Sequence, residues 1–365
     1  MKVTAAVSPS STAPFVIEEV DLDEPRPEEV LVKLVATGIC HTDLHAKAWS
    51  SGPIVLGHEG AGIVIAVGAA VSGLMPGDSV VLTFGHCGQC GECRRGAPAY
   101  CRHGAELNNA FGGPGLRTDG SATLRKSGEV LAGSFFGQSS FASHSVVHQN
   151  NAIKVPDGLD LAVLAALGCG FQTGAGAVLN VLQPLPESTL VIFGVGGVGF
   201  AALLAARSAG LLNIIAVDPS AERRELALLL GASAAIDPLA EDAVSKIREL
   251  SDGGASHALD TTGVPQVLSS ALSSLRRRGK LVMVGIPQGP LSVDAMDLLA
   301  HGKTISGSLE GDSDPKVFIP ELVGRHQRGG FSIDQLVTRY QYQEINQAVA
   351  AQKRGGSVIK PVLLW

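Results

Sequence analysis

The sequence predicts two architectures in one chain, an all-β unit and an α/β unit built on a doubly wound parallel sheet. Three observations predict it. The first 150 residues alternate short β-rich runs with glycine and proline punctuation, from about residue 188 the order becomes strand, helix, strand, helix, and after residue 305 the character is mixed again. A length of 365 residues accommodates two domains, each able to bury its own core.

In the first unit, residues 29–35 and 62–68 are β-rich runs, and Pro76-Gly77-Asp78 opens a further run at 79–83. Their spacing reads as a compact sheet or barrel. A loop-like insert over 85–120 carries four cysteines. In the second unit the predicted strands are 190–193, 213–217, 234–236, 257–260 and 280–284, with another around 303–308, separated by helical patterns such as 222–230 and 243–250. That alternation implies parallel strands with helices on both faces. The closing run 357–363 is expected to return to the first unit, which makes the domains 1–165 plus 306–365 and, inserted between them, 166–305.

Composition excludes several function classes. Charged residues are 17% of the chain, and 28 basic against 34 acidic side chains give a formal charge of −6, so no field for binding a polyanion exists. Nucleic acid is excluded as a partner. The start, Met1-Lys2-Val3-Thr4-Ala5-Ala6, lacks a sustained apolar core and does not read as a signal peptide, which predicts a cytoplasmic protein. The apolar stretch 190–206 approaches the length of a membrane span, yet its glycines suit a strand, a turn and a buried helix, and Arg207 ends it. No membrane partner is expected.

All six cysteines fall into metal-ligand patterns. Cys87, Cys90, Cys93 and Cys101 form C-x2-C-x2-C-x7-C, and four thiolates complete the tetrahedron of a structural zinc. With no open position such a site does no Lewis-acid chemistry; it holds together a loop that lacks a core of its own. A zinc-ribbon nucleic-acid module, suggested by Arg94, Arg95 and Arg102, conflicts with the acidic balance, and a disulfide scaffold conflicts with the chain's size and reducing compartment.

Cys40, His58 and Cys169 are each weak signals alone, since a single buried cysteine or histidine is commonly structural. Together they supply two sulfurs and an imidazole with a fourth position open, the kind of set that leaves a zinc ion free to bind and polarise a substrate oxygen. An open zinc lowers the pKa of bound water from ~15.7 to ~7 and would acidify an alcohol likewise. Thr42 and His45, two and five residues beyond Cys40, suit a hydroxyl-to-imidazole proton relay. Asp43 is the better candidate to orient His58 through its second nitrogen, while Glu59 is either an alternative ligand or a support behind the metal.

Gly194-Val195-Gly196-Gly197-Val198-Gly199 follows the apolar run Val191-Ile192-Phe193 and precedes a helical pattern. In that context Gly194, Gly196, Gly197, Val198 and Gly199 bring backbone to a pyrophosphate, and Asp218 is placed to bind ribose hydroxyls and to repel the 2′-phosphate of NADP. NAD is therefore the expected cofactor. Arg223 and Arg224 lie over the adenosine or face solvent.

These residues closely resemble the zinc-containing alcohol dehydrogenases of the medium-chain dehydrogenase/reductase superfamily, over essentially the whole chain. The resemblance implies a GroES-like β-barrel catalytic domain with an inserted Rossmann domain, and two zinc ions per chain, one catalytic on Cys40, His58 and Cys169 and one structural on the four clustered cysteines. It also implies that Thr173 contacts the nicotinamide, that Asp218 and Arg223 contact the ribose, and that Arg354 holds the pyrophosphate. His41 stands where some members place a phosphate-binding arginine. A homodimer or homotetramer is expected, with a small alcohol or aldehyde as substrate.

The segments 135–142 and 167–176, and the short stretch from His45 to His58, look most like bacterial aryl-alcohol (benzyl-alcohol) dehydrogenases. The expected activity is reversible, NAD-dependent oxidation of primary aromatic or allylic alcohols to aldehydes. The alternatives are a thiol-dependent formaldehyde dehydrogenase, a geraniol-type or general alcohol dehydrogenase, and a non-catalytic NAD sensor. Phe84, Phe111 and Phe141 are candidate pocket-wall residues.

Overall fold

The computed structural model describes residues 1–109 and 115–365, so Phe111 lies outside the described residues. Three sheets organise the chain. The parallel sheet runs Ala234–Ile236, Asn213–Val217, Thr189–Phe193, Ala255–Asp260, Leu275–Met283 and Thr304–Gly307 in spatial order. Every predicted strand of this sheet is present, although Leu275–Met283 begins earlier than the apolar run because an exposed basic segment, Arg276-Arg277-Arg278, is drawn into it.

The alternation within these strands partitions two cores. Leu190, Ile192, Ile214 and Ala216 face one of them, and Val191, Phe193, Ile215 and Val217 face the other. A strand covered on both faces needs apolar residues at every position, which is why these segments read as continuous apolar runs. Each fully buried leucine, isoleucine or phenylalanine there contributes roughly 1.5–3 kcal/mol relative to exposure. The order of strands reverses between Thr189–Phe193 and Ala255–Asp260, and ligands of such sheets bind beyond the carboxyl ends of the strands at that crevice.

The β-rich region forms two sheets rather than one. A five-stranded sheet contains Ile54–Val55, Lys2–Ser8, Val16–Leu22, Leu124–Lys126 and Glu129–Leu131. A seven-stranded sheet is centred on Glu29–Gly38, which pairs with Glu59–Val67, His144–His148 and, antiparallel, with the C-terminal strand Lys360–Leu364. The end of the chain thus lies beside one of its earliest strands.

The register Gly38↔Glu59 places the exits of two neighbouring strands at one end of that sheet. Cys40 follows the first exit and His58 precedes the second strand. Cys169 arrives from the far side, after the buried turn Ala165–Gly168, whose Gly168 carbonyl accepts a 2.8 Å hydrogen bond from the Thr83 hydroxyl.

The stretch 190–206 resolves into a strand, a glycine turn and the buried helix Gly197–Ser208. Among the described residues no single helix is long and apolar enough to cross a membrane; the bent pair Leu161–Gly168 and Gly170–Leu182 is apolar because it lies in the core.

Candidate active site

Cys40 is the N-cap of the helix His41–Trp49, and Cys169 is the N-cap of Gly170–Gly176. A helix start favours a thiolate through its free N–H groups and dipole. Ligand atoms of Cys40, His58, Glu59 and Cys169 all lie within 4.8 Å of one another. A hydrogen bond from Cys169, opposed by burial, holds the Cys40 thiol well below its ordinary pKa, and the same bond together with burial holds Cys169 well above it.

Asp43 organises this cluster. Its Oδ1 accepts from His58 Nδ1 at 2.8 Å and from the Gly57 N–H at 3.0 Å, and its Oδ2 accepts from the Cys40 N–H at 2.9 Å. With Nδ1 committed to the carboxylate, His58 presents Nε2 to the sulfurs. That nitrogen is fully buried and has no hydrogen-bond partner. A buried, unpartnered imidazole nitrogen facing two thiols fits zinc, whereas it would be costly without a cation to meet it.

Glu59 is turned away from an unshared role. Both of its oxygens lie 2.8 Å from Lys360 Nζ, and Oε1 also accepts the Gly170 N–H at 3.1 Å. Burial raises the Glu59 carboxyl more than Lys360 lowers it, whereas at Lys360 burial is the largest single influence and lowers the ammonium, yet Glu59 together with Cys40 and Cys169 outweighs it and holds the group above the usual lysine range. Two equal short contacts and a backbone donor describe an ionised, buried pair that braces the ligand-bearing strand.

A polar network lies behind the ligands. Gln138 donates to the His58 carbonyl at 2.8 Å and accepts the Gly60 N–H at 3.1 Å, clasping both sides of Glu59. Gln172 donates to the Thr83 hydroxyl, the Gly168 carbonyl and Glu310. Burial pushes the Glu310 carboxyl up to about 7.

Thr42 stands beside the first ligand, its hydroxyl 3.7 Å from Cys40 Sγ, and His45 is one turn along the same helix face, half-buried and edge-on to Trp49 at 5.9 Å. On the other side the ring of Phe136 stacks on the His58 imidazole at 4.5 Å, with Phe135 edge-on at 5.4 Å. Phe136 adopts a left-handed backbone, φ 51°, that sets its ring against the histidine. Of the sequence-predicted wall residues, Phe84 is buried beside His86, ring centroids 5.8 Å apart, and Phe141 is buried in the packing of the β sheets, edge-on to Phe15 at 5.8 Å.

Cys87, Cys90, Cys93 and Cys101 also converge, every sulfur within 4.8 Å of the others. Cys90 and Cys93 sulfurs are 3.5 Å apart and those of Cys87 and Cys93 3.9 Å. A tetrahedron with zinc–sulfur bonds of ~2.3 Å has edges of about 3.8 Å, so the set fits zinc.

At the nucleotide turn Gly194 has φ 84°, and a β-carbon on Gly199 would stand 2.1 Å from the Gly194 carbonyl oxygen, so no larger residue fits either place without displacing the turn. Gly196 is the N-cap of Gly197–Ser208 and faces open space. Asp218 Oδ2 accepts the Val195 N–H at 2.9 Å, tying the acid to the turn. Arg223 lies 3.8 Å from Asp218 and donates to the Gly356 carbonyl, while Arg224 donates to the Asp218 carbonyl and pairs with Asp237 at 3.0 Å.

Residues 26–157 match the alcohol dehydrogenase GroES-like domain and residues 197–323 the zinc-binding dehydrogenase family. Over 99% of the chain the sequence is 46% identical to the geraniol dehydrogenase of Castellaniella defragrans, of which it covers 97%. The chain belongs to the zinc-containing alcohol dehydrogenases of the medium-chain dehydrogenase/reductase superfamily. Among solved structures, an alcohol dehydrogenase zinc-binding domain protein from Burkholderia ambifaria is similar with a TM-score of 0.96 at 47% identity, and benzyl alcohol dehydrogenase from Acinetobacter calcoaceticus with 0.95 at 43%. Each alignment covers 100% of this chain and 99% of the other.

Within this zinc-dependent dehydrogenase, which uses a nicotinamide cofactor, the residues expected to contact the cofactor are placed as follows. Arg354 is exposed at the end of the helix Ile345–Arg354, and the cation packed against the glycine turn is Lys360, whose Cε lies 3.4 Å from where a Gly197 β-carbon would be. His41 is exposed, with Nδ1 3.4 Å from Gln352 Nε2. Thr173 is half-buried and donates to Glu310 at 3.4 Å. Sequence reading missed Lys360, Phe136, Gln138, Gln172 and Glu310. Lys360 carried a signal, a lone charge in the apolar run 358–364, and Phe136, Gln138 and Gln172 lie in the two segments that carry the subfamily resemblance; Glu310 carried none.

Proposed function

We propose that this enzyme reversibly oxidises primary aromatic and allylic alcohols to aldehydes with NAD, using one catalytic and one structural zinc per chain. The observation that carries the reading is the half-buried Phe136 ring stacked on His58, which puts an aromatic face beside the ligand cluster. A substrate whose carbinol adjoins a ring or double bond presents its own π-surface to that face, an arrangement worth ~0.5–1.5 kcal/mol beyond area burial. Geraniol and benzyl alcohol, named for two similar proteins, are both of this kind.

When bound, zinc supplies Lewis acidity and NAD a two-electron acceptor. Cys40, His58 and Cys169 would hold the catalytic metal, with Asp43 fixing the His58 tautomer and Lys360 and Glu59 bracing the strand behind it. The Thr42 hydroxyl takes the proton of the alcohol as it passes its own on, and His45 carries the proton toward solvent. Asp218 favours NAD, because a 2′-phosphate would meet its carboxylate while the nearby Arg224 is engaged by Asp237 and Arg223 by Asp218 and Gly356.

Initial rates of the zinc-loaded protein with benzyl alcohol, geraniol and ethanol, each with NAD and with NADP and without thiol, test the reading. Catalytic efficiency for benzyl alcohol or geraniol should exceed that for ethanol by at least about tenfold, with NAD preferred. Preference for ethanol, or turnover only of formaldehyde with an added thiol, would remove the substrate class.

A further inference from the structure

Glu310, Gly311 and Asp312 form a turn with three successive left-handed residues, φ 50°, 68° and 49°. Non-glycine residues hold that conformation only where their surroundings over-determine it, and such sites cluster where geometry matters to function. The turn is pinned from within. A β-carbon on Gly311 would stand 2.5 Å from the Gln172 carbonyl oxygen and 2.8 Å from Gly176 Cα, Asn180 donates to the Gly311 carbonyl at 2.9 Å, and Ser313 donates to the Glu310 carbonyl at 2.7 Å.

It is also pinned from outside, by the four-cysteine lobe. Tyr100, which directly precedes Cys101, donates its hydroxyl to Asp312 Oδ1 at 2.7 Å and accepts the Leu309 N–H at 3.2 Å. One phenol thus fixes both flanks of Glu310. The carboxylate so presented accepts from Gln172 Nε2 at 3.2 Å and Thr173 Oγ1 at 3.4 Å, two successive residues just beyond Cys169.

We propose that Glu310 is a positioning residue that sets the cofactor-facing end of helix Gly170–Gly176, and that the four-cysteine lobe holds Glu310 in place through Tyr100. The lobe then does more than stabilise its own loop. The proposal rests on the preceding reading only in taking Thr173 as a nicotinamide contact. Tyr100 directly precedes the structural ligand Cys101, and its hydroxyl bonds Asp312 and Leu309, so its effect on the catalytic side travels through the turn.

NADH fluorescence titration of the full-length, zinc-loaded protein tests this, with zinc content by mass spectrometry and thermal midpoint as controls. Tyr100→Phe deletes both outer hydrogen bonds and should raise the NADH Kd, and KM for NAD, by about three- to tenfold, with kcat within about twofold and zinc content unchanged. Glu310→Ala should weaken NADH at least as much, and Glu310→Gln, which keeps an acceptor oxygen for Thr173, should recover most of the affinity. Unchanged NADH affinity in folded, zinc-replete Tyr100→Phe would overturn the proposal. So would loss of zinc without loss of cofactor affinity in Glu310→Ala, because the carboxylate would then support the metal ligands and not the cofactor-facing end of the helix. If Glu310→Ala does not fold, Tyr100→Phe decides. Because binding is read without turnover, a protein that fails the alcohol panel yet shows these shifts would remove the substrate class and leave this inference standing.

Discussion

Cys87, Cys90, Cys93 and Cys101 meet within one local excursion of chain, whereas Cys40, His58 and Cys169 come from a helix start, a strand entrance and a second helix start far apart in sequence. In both clusters the ligand atoms all lie within 4.8 Å of one another. Their surroundings are not. The local cluster is half-exposed and leans on backbone N–H groups, such as those of Cys87 and Cys90, each 3.3 Å from a neighbouring sulfur. The dispersed cluster is enclosed by Asp43, the Glu59–Lys360 pair, Gln138 and Phe136, which orient each ligand and cover the site. A closed shell needs only short spacing, but a site with an open position must be held in shape by everything except the metal's own completed tetrahedron.

The comparison can be broken most severely at the first ligand. Cys40→Ser should lower turnover by on the order of 1000-fold or more, since several kcal/mol of charge stabilisation depend on the metal. Metal analysis should find one zinc lost, with the fold retained by circular dichroism. Near-normal turnover in folded, zinc-depleted protein would end the catalytic assignment.

Asp43→Asn tests whether orientation matters apart from ligation. Replacing the carboxylate that fixes His58 should reduce zinc affinity or activity by about 10- to 100-fold, read by competition with a chelating dye. An unchanged affinity would mean that packing against Phe135 and Phe136 orients the imidazole by itself.

Cys90→Ser sharpens the other side. Loss of the closed shell should lower the thermal midpoint by roughly 3–5 °C, as expected for a few kcal/mol in a chain of this size. Turnover per folded molecule should fall by less than about tenfold, the share that reaches the active site through Tyr100 and Glu310. A collapse of activity comparable to that of Cys40→Ser would erase the functional difference between the clusters.

Much of this was legible in the chain. The four-cysteine spacing, the glycine fingerprint with its preceding apolar strand, and Asp218 at the end of Asn213–Val217 are local patterns, and each sits where local geometry demands. The strands of the parallel sheet were legible because burial on both faces leaves continuous apolar runs. The small strands of the five-stranded sheet were not, since two- and three-residue elements such as Ile54–Val55 and Leu124–Lys126 carry too little pattern. Nor were the supports of the active site: Gln138, Gln172 and Glu310 are unremarkable polar residues until the fold places them behind the ligands.

By itself the sequence determined which chemistry the chain carries: the ligand types, the nucleotide turn, and the alternation that separates a β unit from an α/β unit. Backbone hydrogen bonding and side-chain periodicity act over a few residues, so they are written locally. Only the tertiary structure decided that Lys360 packs on the glycine turn, that Glu59 pairs with Lys360, and that Tyr100 of one cysteine cluster braces the turn beside the other. Those outcomes depend on which buried charge finds a partner when distant segments close, and that is settled by packing and desolvation across the whole molecule.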